Sequence, residues 1–87
     1  MKRNVDPFLY NIHSIDIHGY DRLGAVAMIK NFIDNETRIE TKKILIVHGK
    51  GEGILKHATH EYLKTDKRVL EYKLDIFNDG QTIVTLK

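Results

Sequence analysis

The chain has 87 residues and a formal net charge of +2, enough for one compact domain and too few for a second lobe. Its 41% hydrophobic and 30% charged residues exclude a disordered chain, and the absence of cysteine excludes disulfides, thiolate chemistry and the usual structural zinc sites. The mild basic bias, with five histidines besides, permits a nucleic-acid partner without requiring one.

Residues 1–10 hold the only proline and no clear period, so they are expected to form an extension that drapes over the domain or stays mobile, ahead of a single domain at 11–87. They lack the apolar core of a signal peptide, and no run in the chain approaches the length of a membrane span. A cytoplasmic, monomeric, free-standing protein is the expectation. From Asn11 to His18 the alternation of His13, Ile15 and Ile17 with Ser14, Asp16 and His18 predicts a strand, placing Asp16 and His18 on one face at its C-terminal end. Gly19 breaks it and Asp21 suits a helix N-cap. Over residues 22–36, Ala25, Val26, Ile29, Phe32 and Ile33 share one helical face, with Gly24 costing that helix about 1 kcal/mol.

Lys43, Ile44, Leu45, Ile46 and Val47 read as a strand apolar on both faces, the kind buried in a parallel arrangement. Then come His48-Gly49-Lys50-Gly51-Glu52-Gly53 and an apolar pattern, Ile54, Leu55, Ala58 and Tyr62, at helical spacing as far as Thr65. Strand, glycine loop and helix in succession leave free N–H groups at a positive helix end, where a phosphate is the natural guest. The spacing fits neither the nucleoside triphosphate loop nor the dinucleotide fingerprint. Residues 69–77 and 82–86 read as two strands of an antiparallel hairpin, with Asn78-Asp79-Gly80 as its turn. The fold class is therefore α/β in the order β-α-β-α-β-β. Parallel pairing of the first two strands by a right-handed crossover brings Asp16, His18 and His48 to one sheet edge beside the loop, where ligands of open α/β sheets bind.

Around the loop, Gly49, Lys50, Gly51 and Gly53 are the phosphate-binding candidates, and Asp16, His18 and His48 the proton-handling ones. Each has a plainer reading: Asp16 as a loop cap, His18 as a strand-end histidine, the glycines as a tight turn. Lys56, His57, His60 and Lys64 project onto the helix face opposite its apolar residues, as a solvated face or as a basic track for a nucleic-acid backbone. His57, His60 and Glu61 have the wrong order for a zinc helix, and no third ligand is evident. Arg22 projects toward the same edge, and Tyr20 is placed to stack on a base. Tyr62 is assigned to the core, and Lys67, Arg68 and Lys73 to solvent.

Asp16-Ile17-His18-Gly19, the helix with Ala25, His48-Gly49-Lys50-Gly51-Glu52-Gly53-Ile54-Leu55-Lys56 and Thr82-Ile83-Val84-Thr85-Leu86 together resemble the Smr, or small MutS-related, domain over nearly the whole chain. The resemblance implies a two-layer α/β sandwich, a four-stranded mixed sheet packed by two helices, similar to the C-terminal domain of translation initiation factor three. It also implies nucleic-acid binding and, in several members, endonuclease activity on DNA or RNA. Asp16 and His18 match the first motif; His48, Gly49, Lys50, Gly51 and Gly53 match the second. Lys56 stands where members often have arginine, Gly24 where they often have an acidic residue, and Asn78-Asp79-Gly80-Gln81 is thinner than the usual glycine-rich run. One carboxylate at the centre suits a single divalent ion, magnesium or manganese, on Asp16, or a metal-free route on RNA. A binding module without catalysis and a small phosphate-bearing ligand are the other readings.

Overall fold

The computed structural model describes residues 12–87. The expected extension at 1–10, and Asn11, lie outside the described residues. The elements run β1 (His13–Asp16), α1 (Arg22–Arg38), β2 (Lys43–Val47), α2 (Ile54–Thr65), β3 (Val69–Asp75) and β4 (Asn78–Leu86). The sheet order is β1-β2-β4-β3, with β1 parallel to β2 and β4 antiparallel to both its neighbours. Strand β3 thus runs parallel to β2, and two right-handed crossovers in the same direction leave both helices on one face. The result is the expected two-layer sandwich of four strands and two helices.

Strand β2 is the axis of the domain. Ile44 and Ile46 are fully buried toward the helices, while Leu45 pairs with Ile83 on the opposite face. Ile17, Ala25, Ile29, Ile33, Leu63 and Val84 complete the core under the helices. Each large aliphatic side chain so buried contributes about 1.5–3 kcal/mol. In α1 the buried residues Ala25, Ile29 and Ile33 recur every fourth position, as the sequence period requires. The Asp21 carboxylate caps the helix, accepting from the Gly24 N–H at 2.7 Å. A Cβ at Gly24 would stand 2.9 Å from that carboxylate oxygen, so the glycine that weakens the helix makes room for its cap.

The structure corrects three expectations. First, the hairpin turns at Ile76 and Phe77, not at Asn78-Asp79-Gly80, which belongs to β4. The Asp75 carboxylate takes the Phe77 N–H at 2.9 Å and closes the turn, while the ladder jumps from Leu74 opposite Thr82 to Asp75 opposite Asn78. The extra residues form a bulge in which Asn78 Oδ1 accepts from the Gly80 N–H. Second, Ile54, expected on the core face of α2, is 55% exposed, because it sits in the first helical turn beyond the end of the sheet.

Third, Arg68 is not a solvated charge. Its Nε and Nη2 donate to the two oxygens of Asp66 at 3.0 and 2.8 Å, and its Nη1 donates to Asp34 of α1. Tyr62 Oη donates to the same Asp66 at 2.6 Å, and burial with that carboxylate beside it pushes the phenol up to about 12. The Arg68 guanidinium holds the Asp66 carboxyl well below the usual range. Arg68→Ala is expected to cost about 2 kcal/mol at pH 7, a buried-pair loss discounted because the arginine is partly exposed. Since the folded Asp66 pKa is depressed, its contribution is full above the unfolded value of about 3.9 and fades as pH falls through the folded one. Urea unfolding of both proteins will show their difference narrowing below about pH 4.

Candidate functional site

The loop after β2 follows from its glycines. Gly49, Gly51 and Gly53 have φ of 85°, 78° and 82°, a left-handed conformation at every second residue that side chains with a Cβ resist. Gly53 is the N-cap of α2 and supplies no side-chain cap. The His48 and Gly49 N–H groups both donate to the Gly80 carbonyl at 2.9 Å. Apart from a tight turn over Gly51 and Glu52, the N–H groups of residues 50–56 make no well-formed hydrogen bond among the described residues, and the first helical bond runs from His57 to Gly53. A row of unpaired donors therefore continues into the positive end of a 12-residue helix, the electrostatics of an anion cradle. Lys50 reaches toward β4, its Nζ 3.7 Å from Asp79 Oδ1.

Beside this loop stands the Asp16 and His18 pair. Asp16 Oδ1 lies 2.6 Å from His18 Nδ1 and accepts the His18 backbone N–H at 3.0 Å. Those hydrogen bonds hold the Asp16 carboxyl below its usual range, so it is ionised and can only accept. The proton is thus on Nδ1 of the imidazole, which leaves Nε2 as the working nitrogen. Both side chains are more than half exposed. His18 also abuts the loop, since a Cβ on Gly49 would lie 3.3 Å from His18 Cβ.

His48 does not join that pair. Asp16 is opposite Val47 in the β1 and β2 register, and strand alternation puts these two on the face of Leu45 and His48 on the helix face with Ile44 and Ile46. There His48 is 4% exposed, with Nε2 2.8 Å from Thr82 Oγ1 and Nδ1 3.1 Å from its neighbour, the Gly49 carbonyl. His60 was expected on a solvated helix face, but it turns inward, Nε2 2.7 Å from the same Thr82 hydroxyl and its ring 5.0 Å from that of Tyr72. The protons can be placed by elimination. The Gly49 carbonyl needs a donor, so His48 carries its proton on Nδ1 and accepts the Thr82 hydroxyl at Nε2; Thr82 in turn accepts from Nε2 of His60. Both imidazoles are neutral in this chain. Burial pushes His48 below the ordinary range, helped by Lys56; burial, then His48 and Lys56, do the same to His60.

The remaining sequence candidates divide. Arg22 and His57 line a hollow with Glu52, Gly53 and Ile54 where the loop enters α2. Lys56 is half-buried near the two histidines, Lys64 pairs with Glu61 at 3.0 Å, and Tyr20 is 48% exposed beside α2. His57, His60 and Glu61 diverge, and among the described residues no three His, Asp or Glu side chains group as a metal site. Thr82 joins the site through its bonds to His48 and His60, a place the sequence did not mark. The signal for Thr82 was a polar residue in the helix-facing alternation of Val84 and Leu86.

Thr82→Val strands both ring nitrogens and is expected to cost about 2 kcal/mol, roughly 10 °C in Tm, with most of it restored by Thr82→Ser. Because the folded pKa values of His48 and His60 are lowered, the unfolded chain binds more protons below its histidine pKa near 6.5. Stability is then full above that pH and falls as the pH drops from about 7 to 5. Urea unfolding across that range is expected to show a shallower slope for His60→Gln.

A family model described as the Smr domain matches residues 15–87. Endonuclease MutS2 of Clostridium beijerinckii is 34% identical over 90 residues, covering 99% of this chain and 12% of that protein. Endonuclease MutS2 of Acetivibrio thermocellus is 31% identical over 72 residues, 83% of this chain and 9% of that protein. The chain spans about a tenth of the length of these relatives. The crystal structure of the Smr domain of Thermus thermophilus MutS2 superposes with a TM-score of 0.84 at 25% identity, over 87% of this chain and 99% of that one. YdaL, a stand-alone small MutS-related protein from Escherichia coli, shares the fold with a TM-score of 0.80 at 20% identity, over 85% of this chain and 63% of its own. With the family model running from the first strand to the last residue, the chain belongs to the Smr domain family.

Proposed function

We propose that this chain binds nucleic acid and cleaves its phosphodiester bonds, with His18 as general base, Asp16 as its orienting carboxylate and the glycine loop as the phosphate cradle. One observation carries the reading: an exposed Asp16 and His18 pair at 2.6 Å stands against a loop whose amides lack acceptors. The name Endonuclease MutS2 carried by its relatives agrees with it. The loop amides and Lys50 hold the non-bridging oxygens and stabilise the charge that grows on them. His18 Nε2 takes a proton from the attacking hydroxyl, which is the neighbouring 2′-hydroxyl in RNA or a water in DNA. The new oxygen–phosphorus bond forms, the bond to the leaving oxygen breaks, and that oxygen collects a proton from solvent. A divalent ion, if one takes part, would find the Asp16 carboxylate. His48, buried under the loop, would act through the Gly49 carbonyl by shaping the cradle.

Labelled RNA and DNA, linear and branched, will test this. His18→Ala is expected to lower the cleavage rate about 10²- to 10⁴-fold with binding changed little. Asp16→Ala should fall with it. Gly49→Ala, strained in φ and crowding His18, should lose both activity and stability, the latter by about 1 kcal/mol or more. Cleavage in chelator that leaves a cyclic phosphate on RNA marks the 2′-hydroxyl route. No cleavage of any substrate would reduce the chain to a binding module, and cleavage indifferent to both Asp16 and His18 would overturn their assignment.

A further inference from the structure

An open groove of about 1050 Å³ runs between the starts of the two helices, walled by Tyr20, Leu23, Val26, Ile54, Leu55 and Tyr62. Three of its walls are exposed large apolar residues: Tyr20 at 48%, Leu23 at 85% and Ile54 at 55%. Single exposed apolar residues are ordinary on a protein surface, but a cluster of them marks a contact site. The groove is far larger than one nucleobase, so a base would fill only the end nearest the glycine loop. Its position supplies the occupant. Ile54 and Arg22 line both this groove and the hollow at the end of the glycine loop, so the two are continuous. Tyr20 is two residues from His18, on the turn that leads from the Asp16 and His18 pair into α1.

We propose that the groove seats an unpaired nucleobase whose own phosphate lies at the glycine loop, which makes single-stranded or locally opened nucleic acid the substrate class. This rests on the reading of the loop as a phosphate cradle. Bases in a duplex are stacked on each other and cannot reach an apolar groove, whereas an unstacked base gains a partner for its face on Tyr20. The two carboxylates on the rim are already engaged. Asp21 caps α1 and Glu61 pairs with Lys64, so the walls offer contact without reading base edges. Arg22 at the mouth adds attraction for the backbone. The seat is therefore tolerant of base identity.

The test uses short single-stranded and duplex oligonucleotides bearing 2-aminopurine, titrated into the His18→Ala chain and into the same chain with Tyr20→Ala, Tyr20→Phe or Leu23→Ala. Both tested positions are exposed, and thermal melts will check that each variant folds. The single strand is expected to bind at least tenfold tighter than the duplex, with a change in 2-aminopurine emission. Tyr20→Ala should weaken it by about tenfold at unchanged salt slope, and Tyr20→Phe should not. Binding that is indifferent to Tyr20 and Leu23 overturns the groove and leaves the cradle. Absence of binding to every oligonucleotide overturns the cradle itself. A chain that elutes as a dimer, and as a monomer with Leu23→Ala, would assign the groove to a second copy and overturn the proposal.

Discussion

The site depends on one carbonyl. Gly80 O receives the N–H groups of both His48 and Gly49 at 2.9 Å, so the ladder between β2 and β4 continues past the end of β2 and grips the start of the glycine loop. A loop whose glycines alternate through positive φ has little stiffness of its own, and conformational freedom is what it must lose to be a site. The grip supplies that stiffness from the sheet. It also explains the bulge in β4: the chain must step out of register to bring Gly80 against the loop, where a Cβ would stand 3.2 Å from the Lys50 side chain and 3.4 Å from the Gly49 backbone. A side chain there would make the Lys50 side chain or the Gly49 backbone give way by a few tenths of an ångström.

The strand alternation of β1 and β2 then separates two tasks that the sequence had merged. Asp16 and His18 face water; His48 faces the helices, where Thr82 and His60 hold it neutral. An ionised histidine beneath the loop would need both ring nitrogens to donate, and the Thr82 hydroxyl could then no longer donate to it. The buried chain of hydrogen bonds therefore ties the Gly49 carbonyl to β4 and α2 through groups with no charge to desolvate. The exposed pair carries the ionised carboxylate instead, at little cost in burial.

How much of this was legible follows from the range of the forces involved. The strand, glycine loop and helix from Lys43 to Thr65 were readable because period and punctuation are local, and so was the Asp21 cap. The turn at Ile76 and Phe77 was not. Those residues carry no turn signal, and Asn78-Asp79-Gly80 does, but the bonds from Gly80 to a loop thirty residues earlier override the local preference. His60 failed for a related reason. Projection onto a wheel assumes one buried face, whereas α2 leans on α1 with one flank and on Tyr72 and Thr82 of the later strands with another. Arg68 needed Asp34 from α1, a partner thirty-four positions away.

The source of the site's positive potential is the last step. A net charge of +2 is a weak field, and several cations are already spoken for: Lys64 by Glu61, Lys30 by Asp34, Arg68 by Asp34 and Asp66, and Lys50 within reach of Asp79. Arg22 and Lys56 remain near the loop without an ion-pair partner among the described residues. So few free cations cannot hold a long stretch of backbone by charge alone, and the fixed dipoles of unpaired amides at the start of α2 must supply much of the attraction. Dipoles fixed in the fold act over a few ångströms and release no counterions of their own, whereas lysines act farther and do. A site built this way would select a single phosphate in register with His18 more than it would collect polyanions.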